Sequence, residues 1–394
     1  MFLGLLLTLV ALKEPARVLE LVRGVPVPSD LKVETLPRDR IRPFLEEAIR
    51  DSYGDKFDAL AELYQALGLL PAGLDAKKAL LDLYQGQVAA FYNPKDHTMK
   101  LIEGMDPDQP FLQVILVHEL THALQDRRLP LYKLMMERAL SRDNTLALQT
   151  LLEGEAVLVM TMASMQAAEG GKDLDPNERN DILEKSLSLY SQDLSGLVPD
   201  APKFFVNDLL IPYQVGVRYV FEAYKSGGWK AVDALYQHIP CCMEQILHPH
   251  ALTGCPSLKS AALRLKLKGL APVVTDSLGE SGFDYVFNAA LDRPKAEAAS
   301  AGWDGDLAAL YKGKEGRLAV WFTRWDFPHD REEAVAAMLE YGRKGGLKVR
   351  PVVNGRSAVF FITDAAGPAA GLPGTLFDII RTLEESHEQS CAER

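Results

Sequence analysis

The chain has 394 residues, of which 47% are hydrophobic and 25% are charged, and its formal net charge is −11. This length is sufficient for two or three domains, and the composition is that of a globular protein. The acidic balance argues against a nucleic-acid-binding protein, because such a surface needs clustered Lys and Arg. The one basic stretch, Lys259 to Lys268, alternates with Leu and Ala, which is typical of the solvated face of a helix.

The first twelve residues, Met1 to Leu12, are almost wholly apolar. This run is too short to span a bilayer as a helix, but it has the length of the apolar core of a secretion signal, although the usual preceding positive residues are missing. We expect residues 1–30 to form a signal or anchor segment with its lead-in. The mature protein would then be extracytoplasmic (periplasmic, membrane-anchored or secreted), and the segment would allow membrane association. The alternative is a buried first helix.

The next part of the chain has a helical pattern over about Val18–Leu70. Two strands are predicted over Gln87–Tyr92 and Thr98–Glu103, because β-forming residues flank an Asn-Pro-Lys-Asp turn sequence. A strongly apolar helix follows over about Pro110–Arg127, with Pro at its first position. A second apolar helix is predicted over about 143–170, since Asp143 and Asn144 are good N-caps.

Further helices are expected to about residue 268, with breaks at Pro and Gly, and the composition changes near Gly269. Helices are predicted again to about Leu310. The remaining predicted elements are a strand over Arg317–Asp326, a helix over Asp330–Gly342, a hairpin of Leu347–Val353 and Ser357–Ile362, and a last helix over Gly374–His387. The hairpin prediction rests on Asn354-Gly355, the strongest short turn signal.

These elements predict an α+β protein. Residues 31–270 would form a helix-rich catalytic region with a small β-sheet, and residues 271–394 an accessory α+β domain.

The sequence Val-His-Glu-Leu-Thr-His, residues 117–122, is the feature that indicates chemistry. Residues four apart lie on one face of a helix, so His118 and His122 can reach one metal ion. Zinc suits imidazole nitrogen and leaves one position open for water in a catalytic site. Glu119 is placed to take a proton from that water and to pass it to a leaving amine.

A catalytic zinc needs a third protein ligand, and two acids in the second apolar helix are candidates. Between Thr150 and Ala168 only Glu153 and Glu155 are charged. They lie about 200° apart around a helix, so both cannot face one ion. The spacing alone leaves open which of the two is the ligand.

The His-Glu-Leu-Thr-His-Ala segment, with Asp126 four residues after His122, resembles the active-site helix of thermolysin. The Glu-Gly-x-Ala segment from Glu153 resembles the ligand motif of the gluzincins, in which the Glu directly before the small residue binds zinc. The resemblance therefore implies a zincin-like fold, a Zn²⁺ cofactor and Glu153 as the third ligand. Thirty residues separate His122 from Glu153, a longer connection than in those families.

A group of poorly characterised bacterial HExxH proteins, predicted to be exported, is similar over most of the chain. The shared features are a Val-Ala-Gly-Phe-Tyr-like strand (here Val88 to Tyr92), a Pro-Tyr-x-x-Gly element (here Pro212 to Gly216), a Glu-Gln-Ile-Leu-His-Pro segment (here Glu244 to Pro249) and a Gly-Trp-x-Gly-Asp element (here Gly302 to Asp306). This resemblance implies export but no substrate.

Peptidases of the gluzincin type also use a His or Tyr donor to stabilise the oxyanion, and they pair extended substrate with a sheet edge above the zinc helix. The resemblance therefore makes His248 and Tyr213 candidate catalytic residues. Plain packing or capping roles are the alternatives for both. The candidate edges are the strand Val88–Tyr92 and its partner Met99–Ile102.

The sequence thus predicts a zinc-dependent peptidase that acts on a peptide or protein substrate. The alternative is a zinc-binding envelope or assembly protein that retains the fold with little or no turnover. The four cysteines do not settle the compartment: Cys255 could bridge to Cys241 or Cys242, or these cysteines could join His248 and His250 in a second metal site.

Overall fold

A computed structural model describes residues 15–86, 88–168, 175–188, 198–249, 265, 267, 269–314 and 316–363. The predicted secretion segment, Met1 to Leu12, and the predicted last helix, Gly374–His387, lie outside these residues. Cys255, Cys391 and His250 also lie outside them.

The chain divides into two compact units. The first comprises Met1–Ser52, Lys78–Ala139 and Thr145–Pro240, and the second comprises Tyr53–Lys77, Leu140–Asn144 and Cys241–Arg394. The second unit therefore begins before the predicted domain boundary near residue 270, and it includes two segments from the first half of the chain.

The first unit is rich in helices and contains a small sheet. Its helices are α1 (Pro15–Arg23), α2 (Ile41–Tyr53), α4 (Ala76–Gln85), α5 (Pro110–Arg128), α6 (Leu131–Arg138), α7 (Arg142–Ala168), α8 (Pro176–Ser188) and α9 (Lys203–Leu235). Its strands are β1 (Lys32–Leu36), β2 (Ala90–Asn93) and β3 (Thr98–Ile102). The two predicted helices that carry the candidate ligands are confirmed as α5 and α7.

The sheet has the order β1-β3-β2, with β3 in the centre. The predicted hairpin is confirmed, because β2 pairs antiparallel with β3 and Tyr92 stands opposite Met99. The third strand was not predicted. β1 pairs parallel with β3 inside a stretch that the sequence pattern assigned to helix. It is short and mostly exposed, so it lacks the alternating burial that marks a strand in a sequence.

Helices α5 and α7 form the centre of the first core, where Val117, Leu120, Leu151 and Val157 are all buried. Both helices are apolar around most of their circumference, which explains why they pack on several sides at once. In α5, Pro110 stands in the first turn, where its missing N–H costs nothing. On one side of α5, Leu112 packs against Ala90 of β2.

Helix α7 is the one helix among the described residues that is long and apolar enough to cross a membrane. Of its most apolar window, 89% is buried inside the protein. It is an internal helix far from the N-terminus, so it gives no evidence for or against export.

The second unit contains a five-stranded antiparallel sheet in the order β4-β5-β6-β8-β7. Its strands are β4 (Leu270–Asp276), β5 (Trp303–Gly313), β6 (Gly316–Trp325), β7 (Lys348–Asn354) and β8 (Ser357–Thr363), and its helices are α3 (Phe57–Ala66), α10 (Glu244–Leu247), α11 (Gly279–Asn288), α12 (Arg293–Ser300) and α13 (Pro328–Gly345). The protein is therefore α+β, as predicted.

Several predictions for the second unit are confirmed, and one is wrong. β6, α13 and the β7–β8 hairpin around Asn354-Gly355 lie where the sequence predicted them. The helices expected to continue to about Leu310 instead give way to β4 and β5. β4 pairs with β5 across two intervening helices, so its conformation is set by the sheet rather than by local pattern. β5 also forms a hairpin with β6, in which Gly313 stands opposite Gly316.

Cys241 is disulfide-bonded, and Cys242 is free and buried. Cys242 is therefore not the partner of Cys241. A disulfide-bonded sulfur cannot bind a metal as a thiolate, so Cys241 cannot be a ligand of the second metal site considered above.

Candidate metal centre

His118 and His122 lie one turn apart on the same face of α5. Their Nε2 atoms are 3.2 Å apart, and their rings meet edge to face with centroids 4.9 Å apart. The His118 side chain is buried, because α5 is enclosed by the core on most sides. His122 is partly buried, and two imidazoles with both Nε2 atoms directed to one point are suited to share a ligand.

Glu153 of α7 brings a carboxylate oxygen to the same point. Its Oε2 is 3.0 Å from Nε2 of His118 and 3.7 Å from Nε2 of His122. A tetrahedral zinc with bonds of about 2.0–2.1 Å places its ligand atoms about 3.3 Å apart. The three observed separations bracket that value.

Two further observations fit a metal at this point. The Oε2 atom of Glu153 is buried and faces the ring nitrogens of His118 and His122, so an ion held between them would satisfy an oxygen that is costly to leave unpaired. Ligand atoms of His118, Glu119 and His122 also lie within 4.8 Å of one another. Two imidazole nitrogens and a carboxylate oxygen are the donor set of a zinc site with one open position. These residues therefore fit a zinc ion.

The electrostatics of the three groups show strong mutual pairing. Burial lowers the pKa of His122, but the charge of Glu153 and its hydrogen bond outweigh burial and raise that pKa to about 9. Burial raises the pKa of Glu153, but His122 and His118 outweigh it, so that pKa lies well below its usual value. In the metal-free protein His122 is therefore protonated at neutral pH, and its positive charge balances the negative charge of Glu153.

Glu119 lies next to the His pair and is fixed by strand β2. Its Oε2 accepts a hydrogen bond of 2.8 Å from the backbone N–H of Tyr92. Burial raises the pKa of Glu119, while the nearby His122 and His118 oppose that rise. This carboxylate can hold a proton at a pH closer to neutrality than an exposed Glu can.

Tyr213 of α9 lies beside His118. The two rings are stacked with centroids 6.1 Å apart. Burial, followed by the charges of Glu153 and Glu119, raises the pKa of Tyr213 well above its usual value. Its hydroxyl therefore keeps its proton at neutral pH and can act as a donor.

Two glycines allow α9 to approach α7 closely enough for this arrangement. A Cβ on Gly154 would lie 2.2 Å from the carbonyl oxygen of Gly216, and a Cβ on Gly216 would lie 2.1 Å from that of Thr150. Gly154 directly follows Glu153, and Gly216 lies one turn after Tyr213. The small residues of the Glu-Gly and Pro-Tyr-x-x-Gly motifs thus have a physical reason: two helix backbones touch beside the site.

Glu155 lies on a different face of α7 from Glu153 and belongs to a buried ionic network. It is fully buried, and its Oε1 accepts hydrogen bonds from Arg23 at 2.8 Å and from Arg128 at 2.7 Å. Burial raises its pKa, but Arg128 and Arg23 outweigh burial and lower it. The structure thus brings Glu153 to the His pair and pairs Glu155 with arginines.

The structure also assigns contacts to two other residues that the sequence singled out. Asp126 accepts hydrogen bonds from the Tyr92 hydroxyl at 2.6 Å and from the Leu131 N–H at 2.8 Å, and it pairs with His97. His248 belongs to the second unit, where its Nε2 lies 2.9 Å from Glu280. A catalytic role for His248 stays a prediction.

Sequence reasoning missed two residues near the centre. Gln125 accepts a hydrogen bond from Nδ1 of His122 at 2.8 Å. The second is Tyr84 of α4: burial, followed by the charges of Asp208 and Glu153, raises its pKa to about 12. The position of Gln125, three residues after His122, was the one available signal, since residues three apart on a helix are neighbours.

Comparison with known protein families gives a match for one region of the chain. Residues 268–370 match a family model described as a domain of unknown function, DUF8575. This match covers about a quarter of the chain and contains the five-stranded sheet of the second unit, so it does not include the candidate metal centre. No curated protein matches the chain, and no solved structure matches it.

Proposed function

We propose that this protein is a zinc-dependent peptidase that hydrolyses peptide bonds. The observation that carries the proposal is the convergence of His118 Nε2, His122 Nε2 and Glu153 Oε2, with separations of 3.0 to 3.7 Å. These three residues would hold the ion. Bound zinc would polarise the scissile carbonyl and lower the pKa of the attacking water.

Glu119 would act as the general base and then as the general acid. One carboxylate oxygen is fixed by the Tyr92 N–H, which limits the side chain to one orientation. Burial raises the pKa of this carboxyl, so the proton taken from water is retained long enough to be passed to the leaving amine. Glu119 lies between the two proposed histidine ligands on α5. Because His118, His122 and Glu153 complete the set of protein ligands, Glu119 stays free to act on the water.

Tyr213 would donate a hydrogen bond to the oxyanion that develops on the substrate carbonyl. A phenol with a raised pKa remains protonated through the neutral range, as this role requires. The stacking of its ring on His118 keeps the hydroxyl in the neighbourhood of the ligands.

The substrate would be a peptide or protein in extended conformation. Of the two strands proposed to pair with substrate, β3 is central and β2 lies at an edge of the sheet. β2 is also the strand that fixes Glu119. A substrate strand added beside β2 would therefore lie near the acid/base residue. We further propose that the protein acts outside the cytoplasm, on the basis of the apolar segment Met1 to Leu12.

The test uses the purified full chain and fluorescently labelled casein as an unstructured substrate. We expect about one zinc per chain, hydrolysis of the casein, loss of hydrolysis with 1,10-phenanthroline, and recovery when zinc is added back. A protein that binds zinc but leaves casein and a peptide library intact would support the alternative of a non-catalytic zinc-binding protein. Equal zinc content in wild type and a His118→Ala/His122→Ala variant would overturn the metal assignment.

A further inference from the structure

We propose that Gln125 is the positioning residue of the metal centre, and that Glu155 orients it. Gln125 would hold His122 in the tautomer whose Nε2 lone pair faces the ion. This inference rests on the proposed zinc site, and it adds a residue to which no motif of the sequence gave a role.

Gln125 is fully buried and uses both ends of its amide. Its Oε1 lies 2.8 Å from Nδ1 of His122. Its Nε2 lies 2.9 Å from the carbonyl oxygen of Leu152, 3.0 Å from Oε2 of Glu155 and 3.0 Å from the hydroxyl oxygen of Tyr236. The side chain thus joins α5 to α7 and to Tyr236, the residue that follows α9.

The surroundings leave one orientation for this amide. Leu152 offers a carbonyl oxygen and Glu155 a carboxylate, and both are acceptors. The hydroxyl of Tyr236 donates its own hydrogen to Glu155, so it too can only accept. The end of Gln125 that faces these three groups must be the NH₂ group. Its oxygen therefore faces His122.

The orientation of the amide decides the tautomer of His122. An oxygen cannot donate, so Nδ1 of His122 must carry a hydrogen to complete the 2.8 Å contact. A neutral imidazole with its hydrogen on Nδ1 has its lone pair on Nε2. That Nε2 is the atom that lies 3.7 Å from Glu153 and 3.2 Å from His118 Nε2.

The orientation depends in turn on the negative charge of Glu155. Arg23 and Arg128 hold that charge with contacts of 2.8 and 2.7 Å, and both bond Asp233 as well. The side chain of Arg23 is almost fully buried and belongs to α1. A chain of contacts therefore runs from α1 through Glu155 and Gln125 to the candidate ligand His122.

The test measures zinc affinity of metal-free full chain by competition with a chromophoric chelator. Gln125→Met keeps the volume of the side chain and removes both hydrogen-bonding ends. Gln113→Met is the matched control, because Gln113 lies in the same helix, is also buried, and its Oε1 has no partner among the described residues. Glu155→Gln is the second variant, because it keeps the shape and removes the charge that orients Gln125.

We expect zinc affinity to fall about 10- to 100-fold in Gln125→Met, as for other groups that orient a ligand. Glu155→Gln should weaken binding at least about 3-fold, and Gln113→Met should bind as wild type does. The absorption spectrum of the cobalt-loaded protein should change in Gln125→Met, a readout that a loss of stability alone would not move. Wild-type affinity and an unchanged cobalt spectrum in both test variants would overturn the inference. A wild-type protein that binds no zinc would instead overturn the proposed function.

Discussion

The backbone N–H of Tyr92 lies 2.8 Å from Oε2 of Glu119, so a strand of the small sheet fixes the proposed acid/base residue of α5. The same residue, Tyr92, donates its hydroxyl to Asp126 two turns further along that helix. Strand β2 is thus attached to the helix at two points, one between the two histidines and one four residues after His122. The orientation of Glu119 is set by backbone geometry rather than by a side-chain rotamer alone.

Replacing Glu119 by Gln tests its role as acid/base. Gln keeps the shape and still accepts from the Tyr92 N–H, but it cannot take up a proton. We expect unchanged zinc content and a fall in casein hydrolysis of at least about 100-fold, the size typical of lost acid/base catalysis. Retained activity at wild-type level would remove Glu119 from the mechanism.

Replacing each acid of α7 separates the proposed ligand from the network residue. Glu153→Ala removes one of three ligand atoms, so zinc binding and activity should be lost together. Glu155→Ala leaves Arg23 and Arg128 without their buried partner, so its free energy of unfolding should fall by about 3–5 kcal/mol. Metal titration and urea unfolding of both variants measure these effects. Loss of zinc in Glu155→Ala with retention in Glu153→Ala would show that the two roles are exchanged.

Adding a methyl group at Gly216 tests the helix contact beside the site. The new Cβ would lie 2.1 Å from the carbonyl oxygen of Thr150, and neither backbone can move without shifting a core helix. We expect the free energy of unfolding of Gly216→Ala to be lower than that of wild type by at least the roughly 1–3 kcal/mol typical of an overpacked core. The variant should also bind zinc more weakly, because a shift of α7 displaces Glu153. Gly86→Ala is the control, since a Cβ there meets its nearest atom at 3.6 Å. Equal urea midpoints for the two variants would argue against the close approach.

The raised pKa of His122 predicts how zinc binding depends on pH. Below a pKa of about 9 the metal-free imidazole is protonated, and zinc needs the neutral form. Binding at pH 7 should therefore release about one proton, and apparent affinity should fall about tenfold for each pH unit below 9. Calorimetric titration in buffers of different ionisation enthalpy counts the released protons. A binding heat that is the same in every buffer at pH 7 would contradict this assignment.

The parts of the fold that the sequence predicted are those that depend on local pattern. Helices α5 and α7 are long and strongly apolar, and the β7–β8 hairpin is marked by Asn354-Gly355, so each is specified within its own segment. Strand β5 was missed although it forms a hairpin with β6. Strands β1 and β4 were missed because their pairing partners, β3 and β5, lie far away in the chain. A pattern within one window carries little information about such partners.

Some residues of the candidate site could likewise be predicted from the sequence, and others could not. The spacing of His118 and His122 places both on one helix face, and the family resemblance points to Glu153 rather than Glu155. The i+3 spacing could have indicated the contact of Gln125 with His122, but the contact of Gln125 with Glu155 and the electrostatic coupling of Tyr84 to Glu153 depend on groups that only the folded chain brings together. An ordinary buried amide and an ordinary tyrosine carry no chemical signature in a sequence.

The hydropathy of α7 bears on the proposed export of the protein. If the protein crosses a membrane unfolded, the translocation machinery meets this segment before the core exists to bury it. A segment of 27 residues with the apolar character of a membrane span would then compete for lateral release into the lipid. Glu153 and Glu155 stand near its middle, where a charge costs about 3 kcal/mol to insert. The two acids proposed to serve the metal centre would then also oppose release into the lipid, and neutral substitutions at both positions should raise the membrane-inserted fraction of the chain.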